Sequence, residues 1–177
     1  MTKPRQRQLW QVTPTRSCGG CTACCKTHDV AEVDTPSGEL CQFAIIGQGC
    51  SIYNQRPRAC QLYMCWWLLG KGEESDRPDC LKVVMDGNDI YVNNREIGLI
   101  DLHEVETGAV NQSRVQQMMA SFLEQGIVVR YWPLAPHGIA RHGSESYETR
   151  YYTPKYYIPK GMFTDEEKEL FLQEVEK

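Results

Sequence analysis

Cysteine is the residue type whose number and spacing in this chain require a chemical explanation. Eight of the nine cysteines lie within the first 65 residues, four of them in a stretch of eight residues with the spacing CxxCxxCC. A hydrophobic core does not need sulfur at this density, whereas thiolates are the ligands that select zinc, copper(I) and iron–sulfur clusters. We therefore predict a metal-binding protein whose ligands are Cys18, Cys21, Cys24, Cys25, Cys41, Cys50, Cys60 and Cys65.

Disulfide bonds are the alternative use of so many cysteines, and two observations argue against them. The count of nine is odd, so complete internal pairing is impossible. The chain shows no secretory signal and no run of about 20 apolar residues that would span a membrane, so we expect a soluble, cytoplasmic protein with no membrane partner. In a reducing cytosol, a cysteine framework more often binds metal than forms disulfides.

The adjacency of Cys24 and Cys25 bears on the number of metal sites. Neighbouring side chains of an extended segment point to opposite faces, so the pair favours two sites or one bridged centre. Structural zinc takes four ligands, and a four-iron cluster commonly takes four cysteines. The predicted cofactor is zinc, as two ions, or an iron–sulfur cluster, with zinc slightly ahead. Ferredoxin runs continue CxxCxxC with three residues and Cys-Pro, which this chain lacks.

Other polar residues near the cysteines are candidates for supporting roles. Eight thiolates around two divalent ions would leave excess negative charge, and the cations placed to offset it are Arg16, Lys26, Arg56 and Arg58. His28 offers an imidazole three residues after Cys25, although eight cysteines already supply two four-ligand sites. Cys80 lies outside the pattern, and the sequence leaves open whether it is a spare thiol.

Outside the cysteine region the sequence offers little that indicates catalysis. Asp101, His103 and Glu104 form a pattern of low specificity for a metal or acid–base cluster. We find no Ser-His-Asp signature, no phosphate-binding loop and no dinucleotide fingerprint. The sequence therefore leaves open whether the protein is an enzyme.

The cysteine spacing, together with the residues between the cysteines, resembles a known family. The matching positions are Cys18-x-x-Cys21-x-x-Cys24-Cys25, Cys41-x-Phe43, Cys50-x-Ile52-Tyr53-x-x-Arg56-Pro57-x-x-Cys60 and Cys65. This pattern is similar to that of the YkgJ family of CxxCxxCC-type, zinc- or iron-chelating cysteine cluster proteins. The resemblance covers about residues 16–67 and implies a metal-chelating cysteine cluster, but it implies no particular reaction.

The remaining sequence predicts an α+β fold in which an irregular, metal-stapled, cysteine-rich region packs on a small antiparallel sheet with a few helices. We expect a single domain over residues 1–177. Residues 17–69 would form the cysteine-cluster region, and residues 70–177 would form the sheet-and-helix region with a C-terminal helix. Because the first of these regions is rich in turn-forming residues, metal would supply much of its folding free energy.

The periodicity of apolar residues and the positions of turn-forming residues predict the individual helices and strands. Apolar residues at helical spacing predict a helix over residues 60–69, and the Asp-Gly-Asn-Asp sequence at 86–89 predicts a hairpin turn between strands 81–85 and 90–92. A helix over 113–125 is predicted to begin with a capping box of Ser113 and Gln116, and a strand follows at 127–132. The residues Val115, Met118, Met119 and Phe122 are predicted to form one apolar stripe of this helix. The last helix is predicted to begin at Thr164, with Glu167 completing its cap and Leu170, Phe171 and Val175 along its apolar side.

Three hypotheses of function remain open from the sequence. The first is a metal-binding module in which the cluster is structural or serves metal handling. The second is an iron–sulfur redox enzyme, or one that modifies a protein or peptide. The third is an accessory protein that presents residues 81–177 to a protein or peptide partner. A net charge of -4 argues against nucleic acid as a partner.

Overall fold

A four-stranded sheet forms the frame on which the cysteine-rich region lies. The computed structural model describes residues 14–134, 140–141, 148–149 and 154–175. The helices are α1 (Cys24–Thr27), α2 (Arg58–Leu62), α3 (Pro78–Leu81), α4 (Ser113–Glu124) and α5 (Asp165–Val175). The strands are β1 (Ala44–Ile45), β2 (Gly49–Cys50), β3 (Val83–Val92), β4 (Arg95–Glu104), β5 (Val128–Trp132), β6 (Ala140–Arg141), β7 (Glu148–Thr149) and β8 (Lys155–Tyr157). The predicted α+β class is confirmed.

The main sheet has the strand order β3-β4-β5-β8 and is antiparallel except between β4 and β5. Two parallel strands need a crossover connection, and α4 lies in the connection between β4 and β5. The pairs β1–β2 and β6–β7 form two separate two-stranded sheets. Within the part of the chain that the structure describes, no helix is long and apolar enough to cross a bilayer.

The two faces of the main sheet bury different clusters. One face packs against α4, whose Val115, Met118, Met119 and Phe122 form the predicted buried stripe. On the other face, Ile97, Leu99 and Val128 pack with Phe171 of α5, which is fully buried. Successive side chains of a strand point to opposite faces of the sheet. Polar residues of β3 and β4 therefore also lie on the face that packs against α5, beyond the apolar cluster.

The hairpin between β3 and β4 turns at a different place from the one predicted. Residues 86–89 lie inside β3, and the chain reverses at Asn93 and Asn94, whose φ angles are 49° and 63°. A two-residue turn with positive φ at both positions fits the strand twist, and asparagine tolerates that conformation. The predicted turn at 86–89 is wrong because ten paired residues on each strand outweigh the local turn preference of Asp-Gly.

The predicted helix over residues 60–69 is also wrong. Helix α2 ends at Leu62, and Tyr63 is extended, with φ -73° and ψ 131°. The backbone N–H of Trp66 donates to the carbonyl oxygen of Met85 in β3 at 2.7 Å. In a continuing helix, that N–H would donate to the carbonyl oxygen four residues earlier. Because it donates to the sheet edge instead, the chain forms a turn here and not a helix.

Of the two predicted capping boxes, the one at α5 is present and the one at α4 is absent. At α5, Thr164 donates its N–H to Glu167 Oε2 at 2.9 Å, and the N–H of Glu167 donates to Thr164 Oγ1 at 3.2 Å, which is the predicted capping box. At α4 no side chain caps the N-terminus. The Gln116 side chain instead donates to the carbonyl oxygen of Val110 at 2.7 Å, so that predicted box is wrong.

Candidate metal centre

All eight predicted cysteine ligands line one cavity of about 180 Å³. They come from segments up to 47 residues apart in sequence, which excludes a purely local cause for their convergence. All nine cysteines are free thiols. The ninth, Cys80, is exposed and does not line the cavity, as expected of a spare thiol.

Short elements and turns position the sulfur atoms. Cys24 and Cys25 begin helix α1, Cys50 ends β2 and Cys60 lies in α2. The backbone N–H of Cys41 donates to the carbonyl oxygen of Cys25 at 2.9 Å, which fixes the loop before β1 against α1.

The adjacent pair is helical, not extended as we assumed from the sequence. Successive residues of a helix differ in direction by about 100°, which allows both Cys24 and Cys25 to line the cavity. Their adjacency therefore does not by itself require two separate sites.

Two glycine loops meet at one side of the cavity. A Cβ added at Gly20 would overlap the carbonyl oxygen of Gly47, and one added at Gly49 would overlap that of Gly19. The loop that carries Cys21 therefore packs backbone to backbone against the β1–β2 hairpin. Any side chain at either glycine would push the two loops, and the sulfur atoms they carry, apart.

The sulfur atoms are spread around the cavity. Within the described residues, no three cysteine sulfurs lie mutually within 4.8 Å. Around a tetrahedral zinc ion with bonds of about 2.3 Å, the sulfurs would be about 3.8 Å apart. The donor set suits a soft metal, but its spacing is wider than two separate zinc sites would require.

Burial disfavours free thiolates in the cavity. Desolvation raises the pKa of the Cys18, Cys60 and Cys65 thiols and raises that of Cys21 to about 11. These thiols are therefore neutral at pH 7 unless a metal ion replaces the proton.

The adjacent cysteines behave differently because they share a hydrogen bond. Cys24 donates its thiol proton to the sulfur of Cys25, which lowers the pKa of Cys25 to about 7 and raises that of Cys24 well above its ordinary value. The nearby guanidinium of Arg56 lowers the pKa of Cys25 further. Cys25 is thus readily available as a thiolate near neutral pH.

Of the four predicted cations, Arg56 alone lines the cavity. Its guanidinium lies 3.9 Å from the centre of the Tyr53 ring, and its Nε atom is buried without a hydrogen-bond partner. Arg16 instead donates to the carbonyl oxygens of Trp67, Lys71 and Gly72. Lys26 donates to the carbonyl oxygen of Val105 at 2.6 Å, and Arg58 is exposed.

The predicted cluster of Asp101, His103 and Glu104 is not brought together. Asp101 accepts hydrogen bonds from Arg130 and from the indole N–H of Trp132 at 2.8 Å. These hydrogen bonds outweigh the opposing effect of burial, so the pKa of Asp101 lies below its ordinary value.

Glu104 lies on the opposite face of β4, as strand alternation requires. It accepts hydrogen bonds from the N–H groups of Val110 and Leu134, both at 3.1 Å.

His103 instead meets His28 and Asp86. His28 Nε2 lies 3.7 Å from Asp86 Oδ2, and His103 Nε2 lies 3.7 Å from Asp86 Oδ1. His28 also lines the cysteine cavity, so the two groups of residues adjoin. We missed Asp86 from the sequence because we placed it in a turn. Alternation along a longer strand would have placed it on the same face as its neighbour across the hairpin, Asp101.

Comparison with protein-family models, with curated proteins and with solved structures finds no match to this chain. The resemblance to the YkgJ family therefore stays a prediction that rests on the cysteine pattern alone.

Proposed function

We propose that the protein binds a polynuclear metal centre through its eight clustered cysteines, and that an iron–sulfur cluster suits this cavity better than two zinc ions. The observation that carries the proposal is the convergence of all eight thiols on one cavity of about 180 Å³. A set of free cysteines without a ligand has no reason to converge from five separate segments.

The width of the sulfur spacing favours a bridged centre. Separate zinc ions would each hold four sulfurs about 3.8 Å apart, whereas among the described residues no three cysteine sulfurs lie mutually within 4.8 Å. Bridged metal ions set their terminal thiolates further apart, because sulfide or shared sulfur atoms lie between the metals. The sulfur spacing therefore favours iron–sulfur over zinc, the reverse of the order that the sequence indicated.

The surroundings of the sulfurs fit a charged, buried cluster. Arg56 supplies a cation whose buried Nε lacks a hydrogen-bond partner within the protein. Phe43, Ile52 and Leu68 line the same cavity with apolar side chains, which would limit access of water to the sulfur atoms. An iron–sulfur cluster bound here would supply one-electron transfer, whereas zinc would supply only cross-links.

We also propose a cytoplasmic location. The nine free thiols support it, because cysteines stay reduced in that compartment. An enzyme and an accessory protein that binds a protein or peptide partner stay the alternative hypotheses from the sequence.

Absorption and elemental analysis test the proposal. The full chain is purified without oxygen, and iron, zinc and acid-labile sulfide are measured per chain together with the visible spectrum. We expect a brown protein with stoichiometric iron and sulfide. A colourless protein with two zinc ions per chain would overturn the iron–sulfur assignment, and a protein with no bound metal would overturn the metal centre altogether.

A further inference from the structure

A second set of metal-ligating side chains lies beside the cysteine cavity. His28, Asp86 and His103 each offer one ligand atom, and these three atoms lie within 4.8 Å of one another. His28 follows α1, whereas Asp86 and His103 lie on β3 and β4. Three side chains from three elements therefore converge without being neighbours in sequence.

Two of these ligand atoms have no hydrogen-bond partner. His28 Nε2 and Asp86 Oδ1 are both buried and unpartnered. A buried polar atom without a partner costs about 1–3 kcal/mol, and a carboxylate oxygen costs more because it is charged. Such atoms in one place indicate that something absent from the protein chain satisfies them.

The distances fit an intervening ion better than direct hydrogen bonds. The two Nε2–carboxylate separations of 3.7 Å exceed the roughly 2.7–3.2 Å of an N–H···O bond. Ligand atoms bound at about 2.0–2.2 Å to one transition metal ion lie about 3.0–3.5 Å apart. The three ligand atoms lie within 4.8 Å of one another, so the side chains would have to move closer together to bind one ion.

Neighbouring residues hold both imidazoles in suitable orientations. Thr27 Oγ1 lies 2.7 Å from His28 Nδ1, and Thr27 is buried. In the tautomer whose Nδ1–H donates a hydrogen bond to this hydroxyl oxygen, the lone pair of Nε2 faces Asp86, as metal-binding histidines require. The His103 ring stacks parallel to Trp132 with centroids 5.7 Å apart.

We propose that His28, Asp86 and His103 bind one divalent first-row transition metal ion, separate from the thiolate centre. Two imidazoles and one carboxylate are borderline ligands, unlike the soft sulfurs next to them. Three protein ligands also leave coordination positions open for water or a small molecule. This site does not depend on which metal the cysteines bind.

Cobalt(II) tests the site because its absorption reports the ligand type. The anaerobically purified full chain, with its thiolate-bound metal already measured, is titrated with Co²⁺. We expect one additional Co²⁺ per chain, with weak visible bands and no intense sulfur-to-cobalt charge-transfer band. Asp86→Asn and His103→Gln should each weaken this binding at least tenfold while the thiolate-bound metal stays unchanged. The matched control is Asp89→Asn, an exposed carboxylate on the same strand, which should bind Co²⁺ like the unaltered chain.

Three results would overturn the site. They are no additional Co²⁺ on the unaltered chain, equal binding by Asp86→Asn and Asp89→Asn, or a spectrum dominated by sulfur-to-cobalt charge transfer. If the Asp86 and His103 variants do not fold, the spectrum of the unaltered chain decides the question alone. Absence of the thiolate-bound metal would instead contradict the proposed cysteine centre. The metal content measured before the Co²⁺ titration tests that centre separately from the second site.

Discussion

Trp66 donates its backbone N–H to the carbonyl oxygen of Met85 at 2.7 Å, and this bond joins the segment that carries Cys65 to the edge strand β3. The side chain of Trp66 packs edge-on against Phe122 of α4, with ring centroids 5.6 Å apart. Lys26 donates to the carbonyl oxygen of Val105, which follows β4 at the same open end of the hairpin as Met85. The cysteine-rich region is therefore attached to the open end of the β3–β4 hairpin at two points, and changes at either point should affect the metal centre.

Replacing Gly20 with alanine should reduce metal content by at least half. The added Cβ would overlap the carbonyl oxygen of Gly47 and separate the two loops. The matched control is Gly98→Ala in β4, where an added Cβ would lie 3.6 Å from its nearest neighbour, an ordinary contact. Elemental analysis of both purified variants checks the prediction. Equal metal content in the two would show that the loop contact does not position the sulfurs.

Cys60→Ser should remove or destabilise the metal centre, whereas Cys80→Ser should leave it intact. Cys60 lines the cavity, and Cys80 is exposed outside it. Metal per chain and the visible spectrum measure both outcomes. Loss of metal from Cys80→Ser would show that the set of eight ligands is wrong.

Phe171→Ala should lower the free energy of unfolding by about 3–5 kcal/mol, because it leaves a cavity where a fully buried ring packs against the sheet. The adjacent Leu170 is 42% exposed, so Leu170→Ala should cost less than about 1 kcal/mol. Urea unfolding followed by circular dichroism gives both values. Similar losses in the two variants would contradict the packing of α5.

Asp76→Asn should destabilise the protein in a pH-dependent way. The Asp76 carboxylate is fully buried and accepts two hydrogen bonds from the Arg114 guanidinium, at 2.8 and 2.6 Å. These bonds hold the pKa of Asp76 below its ordinary value of 3.8. The stabilisation is therefore fully present above the pKa of the unfolded chain and is lost as the pH falls through the lower pKa of the folded protein.

Unfolding in urea at pH 7 and near pH 3 measures this dependence. We expect Asp76→Asn to cost about 2 kcal/mol at pH 7, and the difference from the unaltered chain to shrink in acid. Glu74→Gln is the control, because Glu74 pairs with Arg16 at 3.0 Å but is 79% exposed and should contribute less than about 1 kcal/mol. A cost for Asp76→Asn that is the same at both pH values would contradict the assigned pKa.

The sequence was informative where a local signal and the tertiary structure agree. The Thr164–Glu167 box and the stripe of α4 are both present as predicted, because each depends on residues within one or two helical turns. The turn at 86–89 and the helix over 60–69 were wrong for the opposite reason. Pairing with β4 overrides the first, and the bond from Trp66 to Met85 overrides the second. Neither partner is visible from local periodicity.

The two candidate sites also differ in whether a local sequence signal or only the tertiary structure reveals them. The eight cysteines were recognisable because their residue type is rare and their spacing is dense. The group formed by His28, Asp86 and His103 was not recognisable from the sequence, since its members are common residues up to 75 positions apart. Only the pairing of β3 with β4, together with the packing of α1 beside them, brings these three side chains into one place.

The turn at Asn93 and Asn94 also determines which side of the sheet receives the charged residues. Side chains alternate, so a slip of one residue in the β3–β4 register would turn a whole strand over. Asp86 would then face the apolar cluster under α4, and Met85 would take its place beside the imidazoles. An insertion of a single residue in this turn is thus expected to be far more damaging than its exposed position suggests, because it would exchange a carboxylate for a thioether 3.7 Å from His103.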